Sequence, residues 1–156
     1  MTGSFQLKVA ALLSFIAAIL HIAVIFGGPD WYRFFGAGEE MAQLAESGSI
    51  QPTIITLLIA VVLSTWALYG LSGAGIIFRL PLLKLGLSII TIIYLVRGVA
   101  GLLLPFISDH PAITQNSVAF WLVSSTISCI FGIFYLLGTK NSWQQLTNKE
   151  NYGSMQ

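Results

Sequence analysis

Apolar residues run along this chain in four blocks, each close to the length of a bilayer crossing. They occupy roughly 8–27 (KVAALLSFIAAILHIAVIFG), 53–78 (TIITLLIAVVLSTWALYGLSGAGIIF), 82–106 (LLKLGLSIITIIYLVRGVAGLLLPF) and 116–138 (NSVAFWLVSSTISCIFGIFYLLG). A helix needs about 20 mostly apolar residues to cross the hydrocarbon core, so each block predicts a spanning helix. Proline marks the joints. Pro52 and Pro81 fall in the first turns of the second and third helices, where the missing N–H has no helical partner, and Pro105 closes the third. The connection Arg79–Pro81 is short enough to make the second and third helices antiparallel neighbours. The predicted fold is all-α: an integral membrane, up-down-up-down four-helix bundle with a short interfacial helical outer loop. One four-span domain covers 1–140, and a polar tail, 141–156, is expected to fray.

Composition strengthens this picture. The chain is 56% hydrophobic and only 8% charged, against about 25% charged residues in soluble domains. A net charge of +1 offers no basic surface to nucleic acid. The first block is too long for a signal-peptide core and is followed by GGPDWYRFF rather than a cleavage site, so an uncleaved helix is expected. Lys8, Arg79, Lys84, Lys140 and Lys149 fall on one side of the spans and Arg33 alone on the other. The positive-inside rule then places both termini and the 79–84 turn in the cytoplasm. The single cysteine, Cys129, lies in the fourth block. One thiol cannot support dithiol exchange, and Cys129 reads as a small apolar packing residue.

The outer loop between the first two spans, GGPDWYRFFGAGEEMA, concentrates charge and aromatic rings. Pro29-Asp30 begins a short helix with Asp30 as N-cap, and Gly36 and Gly38 break it. A second short amphipathic helix follows over 39–46, with Glu39, Gln43 and Glu46 on one face. Trp31, Tyr32, Phe34 and Phe35 read as interfacial anchors. The loop is either a collar lying on the membrane or a lid over an outward-opening cavity, hinged at Gly36 and Gly38.

Two ionisable side chains lie within spans. His21 is about 10 Å and Arg97 about 13 Å from the outer ends of their helices at 1.5 Å per residue. Arginine stays protonated, and a charge at midspan costs about 2.5–3.5 kcal/mol, so Arg97 calls for a counter-charge. The spans carry no acid, so Arg97 either pairs with Glu39 or Glu40, dipping from the outer loop, or snorkels to water or lipid phosphate with no fixed partner. His21 is expected to be a hydrogen-bonded interior residue, with Tyr94, Ser124 or the network of Arg97 as partners. Haem ligation at His21 would need a second axial ligand, and His110 sits too near the surface. No metal-binding spacing is present, and no cofactor is predicted. Gly70, Gly73 and Ala74 on the second span, and Gly98 and Gly101 on the third, read as helix-packing positions.

The runs WYRFFGAGEEMA and WALYGLSGAGIIFRLPLLKL, together with the four-span layout, resemble small bacterial inner-membrane proteins of DoxX-like architecture. The likeness covers about 30–110 by motif and the whole chain by topology. It implies a four-helix bundle in the bacterial inner membrane, carries over no catalytic residue, and brings a link to redox or quinone chemistry. The residues themselves point first to an outward-facing pocket for a lipid or small amphiphile, built from His21, Arg97, Tyr94, Glu39, Glu40 and Ser124. The alternative is a non-catalytic subunit of a homo-oligomer or larger membrane complex. An enzyme or quinone-linked protein ranks third, because no nucleophile, base and acid set is visible.

Overall fold

A computed structural model describes residues 2–153. The chain is all-helical: α1 (Gly3–Phe34), α2 (Glu39–Glu46), α3 (Gln51–Gly73), α4 (Leu83–Ile107), α5 (Pro111–Thr114) and α6 (Val118–Gly153). No strand occurs among the described residues. Four helices are long and apolar enough to cross a membrane: α1, α3, α4, and α6 over Val118–Thr147. Their outer surfaces are apolar, with Leu12, Leu58, Val61, Val96 and Val123 all more than half exposed. Water would not tolerate such a surface on a soluble domain.

Glycine and proline set the break in α1, the start of α3 and the turn after it. From Ser4 to Phe26 α1 contains neither. It then breaks at Gly28, whose φ of 69° and ψ of −156° suit only glycine, and restarts at Pro29, which is pre-set for a first helical turn. The expected helix at Pro29-Asp30 is thus present as the last part of α1. Pro52 opens α3 as expected. That helix stops at Gly73, short of the expected Phe78. Gly75 takes a positive φ, and Ser72 Oγ donates to the Phe78 carbonyl at 3.0 Å while accepting the Leu80 N–H at 3.0 Å. The link to α4 is therefore a folded loop over 74–82 rather than a three-residue turn, and Pro81 precedes the helix instead of lying inside its first turn.

This longer link changes the packing expected for the second and third spans. The broadest contacts are α4 with α6 and α1 with α3, and α1 also packs against α6. The sequential pair α3 and α4 touches more sparingly. Ser4 Oγ donates to the Ala74 carbonyl at 2.9 Å, and Thr56 Oγ1 to Tyr32 Oη at 3.3 Å, so each end of α1 meets the opposite end of α3. Small residues permit the close approaches. A Cβ on Gly70 would lie 2.9 Å from Ala11 Cβ, and one on Gly73 would lie 2.9 Å from Leu7 Cδ1 and Leu87 Cδ1. Gly98 and Gly101 face Ser125 on α6 in the same way. Ala74 sits one step later, at the end of α3.

The polar tail is not frayed where it can be described. Helix α6 continues without interruption past the apolar block. Asn141 Nδ2 donates to Gln6 Oε1 at 2.8 Å, Arg79 Nη2 donates to the Leu146 carbonyl at 2.7 Å, and the Lys84 ammonium lies 5.0 Å from the Trp143 ring centre. Leu146 is buried. Composition alone hid this docking, because its contacts are made by side chains that also suit open water.

Candidate functional site

Three polar arrangements break the apolar bundle. The first is at its centre. Ser14 Oγ on α1 lies 3.0 Å from Tyr94 Oη on α4 and 3.1 Å from Tyr135 Oη on α6, and Tyr135 Oη donates to the Trp66 carbonyl on α3 at 2.8 Å. Ser14 and Tyr135 are fully buried and Tyr94 nearly so. The tyrosine rings stack with centres 5.7 Å apart, and Trp66 and Phe131 meet Tyr94 edge-on. Every hydroxyl here has a partner, so the knot joins four helices without presenting a free group to a ligand. Tyr94, expected to line a pocket, belongs to this core.

The second arrangement caps one end. Gly36 and Gly38 adopt φ of 73° and 98° and turn the chain so that α2 returns beside the end of α1. The Arg33 guanidinium grips Glu39 with two parallel bonds, Nε to Oε2 at 2.9 Å and Nη2 to Oε1 at 2.8 Å, and reaches Glu46 Oε1 through Nη1 at 2.8 Å. Paired donation of this kind is the strong geometry of arginine and carboxylate. These hydrogen bonds hold the Glu39 carboxyl below its ordinary value. Beneath the pairs, Val24, Tyr32 and Ala42 form a small apolar cluster. Tyr32 is 2% exposed and is therefore a core residue of the cap, not an interfacial anchor. Trp31, Phe34 and Phe35 remain exposed and touch ring to ring. Asn116 Nδ2 donates to the Gly36 carbonyl at 3.2 Å, which ties the cap to the segment leading into α6.

Arg97 does not meet this cap. Its guanidinium lies over the Trp121 ring, 5.2 Å from the ring centre, and Nη1 makes a long contact to Ser125 Oγ at 3.5 Å. Among the described residues no carboxylate lies within ion-pairing distance of it. Glu39 is taken by Arg33, and Glu40 is exposed. The expected Arg97–glutamate pair therefore gives way to an aromatic platform, which suits the planar, weakly hydrated guanidinium. His21 is hydrogen-bonded, but to none of the expected partners. Its Nδ1 lies 2.8 Å from the Ala17 carbonyl of its own helix. A carbonyl only accepts, so Nδ1 carries the proton. Ser124 Oγ donates to the Trp121 carbonyl at 3.3 Å. No hydrogen bond or ion pair joins any two of His21, Tyr94, Arg97, Glu39, Glu40 and Ser124.

The third arrangement lies at the opposite end of the bundle and was not anticipated. A groove of about 650 Å³ runs between α4 and α6. Ser88, Thr91 and Ile92 face Leu136, Thr139, Lys140 and Trp143, with the amides of Asn141, Gln144 and Gln145 in the same lining. Its volume is that of a small-molecule site, about 300–1,000 Å³. Thr139 is 6% exposed, and its Oγ1 is the buried side-chain atom without a hydrogen-bond partner among the described residues. Thr91, Thr126, Ser128 and Thr147 all donate to the carbonyl one turn back, whereas Thr139 does not. An unsatisfied buried hydroxyl costs about 1–3 kcal/mol, and this one belongs to a residue of the groove lining. The sequence carried a partial signal: Thr139, Lys140 and Trp143 follow the last apolar turn, and Ser88 and Thr91 share a face of α4. Comparison with family models, curated proteins and solved structures finds no match to the chain.

Proposed function

We propose that this is a four-span protein of the bacterial inner membrane that binds a lipid or other small amphiphile in the groove between α4 and α6. The spans run up-down-up-down with both termini and the groove at the cytoplasmic face. Supporting the direction, Lys8, Arg79, Lys84 and Lys140 gather at the groove end, while Asp30, Glu39, Glu40 and Glu46 lie at the capped end. The observation that carries the binding function is the buried, unpartnered Thr139 hydroxyl in the lining of a groove that sets the apolar side chains of Ile92, Leu136 and Trp143 beside polar ones such as Ser88, Lys140 and Gln144. A site with one apolar side and a few convergent polar groups selects an amphiphile.

Purification in mild detergent followed by native mass spectrometry tests this reading. The wild type should carry a bound amphiphile. Ser88→Phe, which fills the groove from a half-buried position, should lose it, and Arg97→Ala at the other end should keep it. A wild type without bound amphiphile, or equal occupancy in Ser88→Phe, would refute the proposal.

A second reading, a subunit of a larger membrane assembly, draws on a smaller hollow of about 300 Å³ between α1 and α3. Leu12, Phe15, Ala67 and Leu68 line it with almost no polar surface, which suits another helix. Crosslinking in native membranes that yields only monomer would count against it.

A further inference from the structure

We propose that the groove between α4 and α6 recognises an anionic phospholipid, with the headgroup at Thr139 and Lys140 and one acyl chain along Ile92 and Leu136. The inference rests on the amphiphile reading above and adds the charge and class of the ligand.

The polar groups on offer include one cation and no carboxylate. Thr139 Oγ1 is buried and unpartnered. Lys140, the next residue, is exposed in the same lining, and no carboxylate pairs with it among the described residues. The lining contains no acidic side chain, so its one formal charge is positive. The Asn141 amide nitrogen already donates to Gln6, and the Thr91 hydroxyl to the Leu87 carbonyl. A ligand completing this site brings acceptor oxygens and negative charge together, as a phosphodiester does.

The apolar wall argues against a small soluble anion. Ile92 is 59% exposed and Leu136 44%, so the groove opens sideways onto the same apolar exterior that marks the four spans. A free phosphate would leave this wall uncovered. A phospholipid covers it with the start of an acyl chain while the remainder stays in the bilayer. The volume of about 650 Å³ suits a headgroup, its glycerol and part of one chain rather than an entire lipid. Trp143, with the Lys84 ammonium against its ring, stands where an aromatic residue meets the headgroup layer. The anionic lipids of a cytoplasmic leaflet attract basic side chains at that level.

The test is lipid exchange into delipidated protein, followed by native mass spectrometry. It uses phosphatidylglycerol and phosphatidylcholine of identical chains, with folding checked by circular dichroism. The wild type should prefer phosphatidylglycerol about fivefold, the weight of one lysine against anionic lipid. Lys140→Gln should bind both lipids equally. Thr139→Val should weaken both and keep the preference. Inorganic phosphate at millimolar concentration should displace neither lipid.

Equal binding of the two lipids by the wild type would overturn the inference. A preference that survives Lys140→Gln, or displacement by phosphate alone, would do the same. In those cases loss of both lipids in Ser88→Phe would leave the amphiphile reading standing. If the wild type binds neither lipid, or Ser88→Phe binds like the wild type, both readings fall together.

Discussion

The contact between α4 and α6 is the broadest in the bundle, and Gly98 allows its closest approach. A Cβ at position 98 would collide with Cys129 Sγ and would also lie 2.9 Å from the Cys129 backbone nitrogen and 3.1 Å from the Ser125 carbonyl oxygen. The thiol can rotate away, but the backbone atoms move only with α6. Restoring an ordinary separation of 3.4 Å to that nitrogen requires the helices to part by about half an ångström at the crossing. Interiors packed this closely answer with a cost of about 1–3 kcal/mol, which Gly98→Ala should show as a lower midpoint of unfolding in mixed micelles titrated with dodecyl sulfate. Cys129→Ala removes the sulfur and leaves the backbone contacts. The double variant should therefore recover only part of the loss. Gly98→Ala at wild-type stability, or full recovery in the double variant, would show that backbone proximity does not set the cost.

Three further outcomes follow from the polar arrangements. A double-mutant cycle of Ser14→Ala with Tyr94→Phe should give a coupling near 0.6 kcal/mol and no larger than about 1.7 kcal/mol, the range for hydrogen bonds between membrane helices; zero coupling would remove the bond. In a Cys129→Ala background, a cysteine at Ser47 should react with an impermeant maleimide in intact cells and one at Gln144 only after permeabilisation, and the reverse pattern would invert the proposed orientation. The Glu39 carboxyl is held below its ordinary 4.5 by Arg33, so its contribution is complete above pH 4.5 and fades as the pH falls through the lower, folded-state value. A spin label at Ser47 should gain mobility on that acidification, and Glu39→Gln should already be mobile at neutral pH; a label insensitive to both changes would sever the cap from this ion pair.

Much of the fold was legible because its signals are local. Length and polarity mark a span without reference to any neighbour, and Pro29, Gly36, Gly38 and Pro52 dictate backbone breaks wherever they fall. The shared face of Glu39, Gln43 and Glu46 was also readable from spacing. What spacing omitted was the cation, because Arg33 reaches that face only after the chain turns at Gly36 and Gly38. Arg97 was then assigned a carboxylate that a nearer arginine had already taken. The α3–α4 link misled for a related reason. Ile76, Ile77 and Phe78 are apolar enough to extend a helix, yet Ser72 and Gly75 fold them into a loop, and this loosens the pairing expected of neighbours in sequence. The groove was least visible, since a cavity is made by what two distant helices leave unfilled, and no single segment records it.

The two ends of the bundle answer the same electrostatic problem in opposite ways. At the capped end, Arg33 gathers Glu39 and Glu46, and the donors and acceptors satisfy one another within the chain. Arg97 needs no acid there, because Trp121 supplies an aromatic face and Ser125 an oxygen. At the other end Lys140 lines the groove with no carboxylate paired to it among the described residues, and the Thr139 hydroxyl of the same lining has no partner. A buried donor is ordinarily satisfied by backbone, side chain or water, and the neighbouring threonines show how easily α6 could have done so through its own carbonyls. The unmet polar groups of the bundle therefore lie at Lys140 and Thr139 rather than at Arg97.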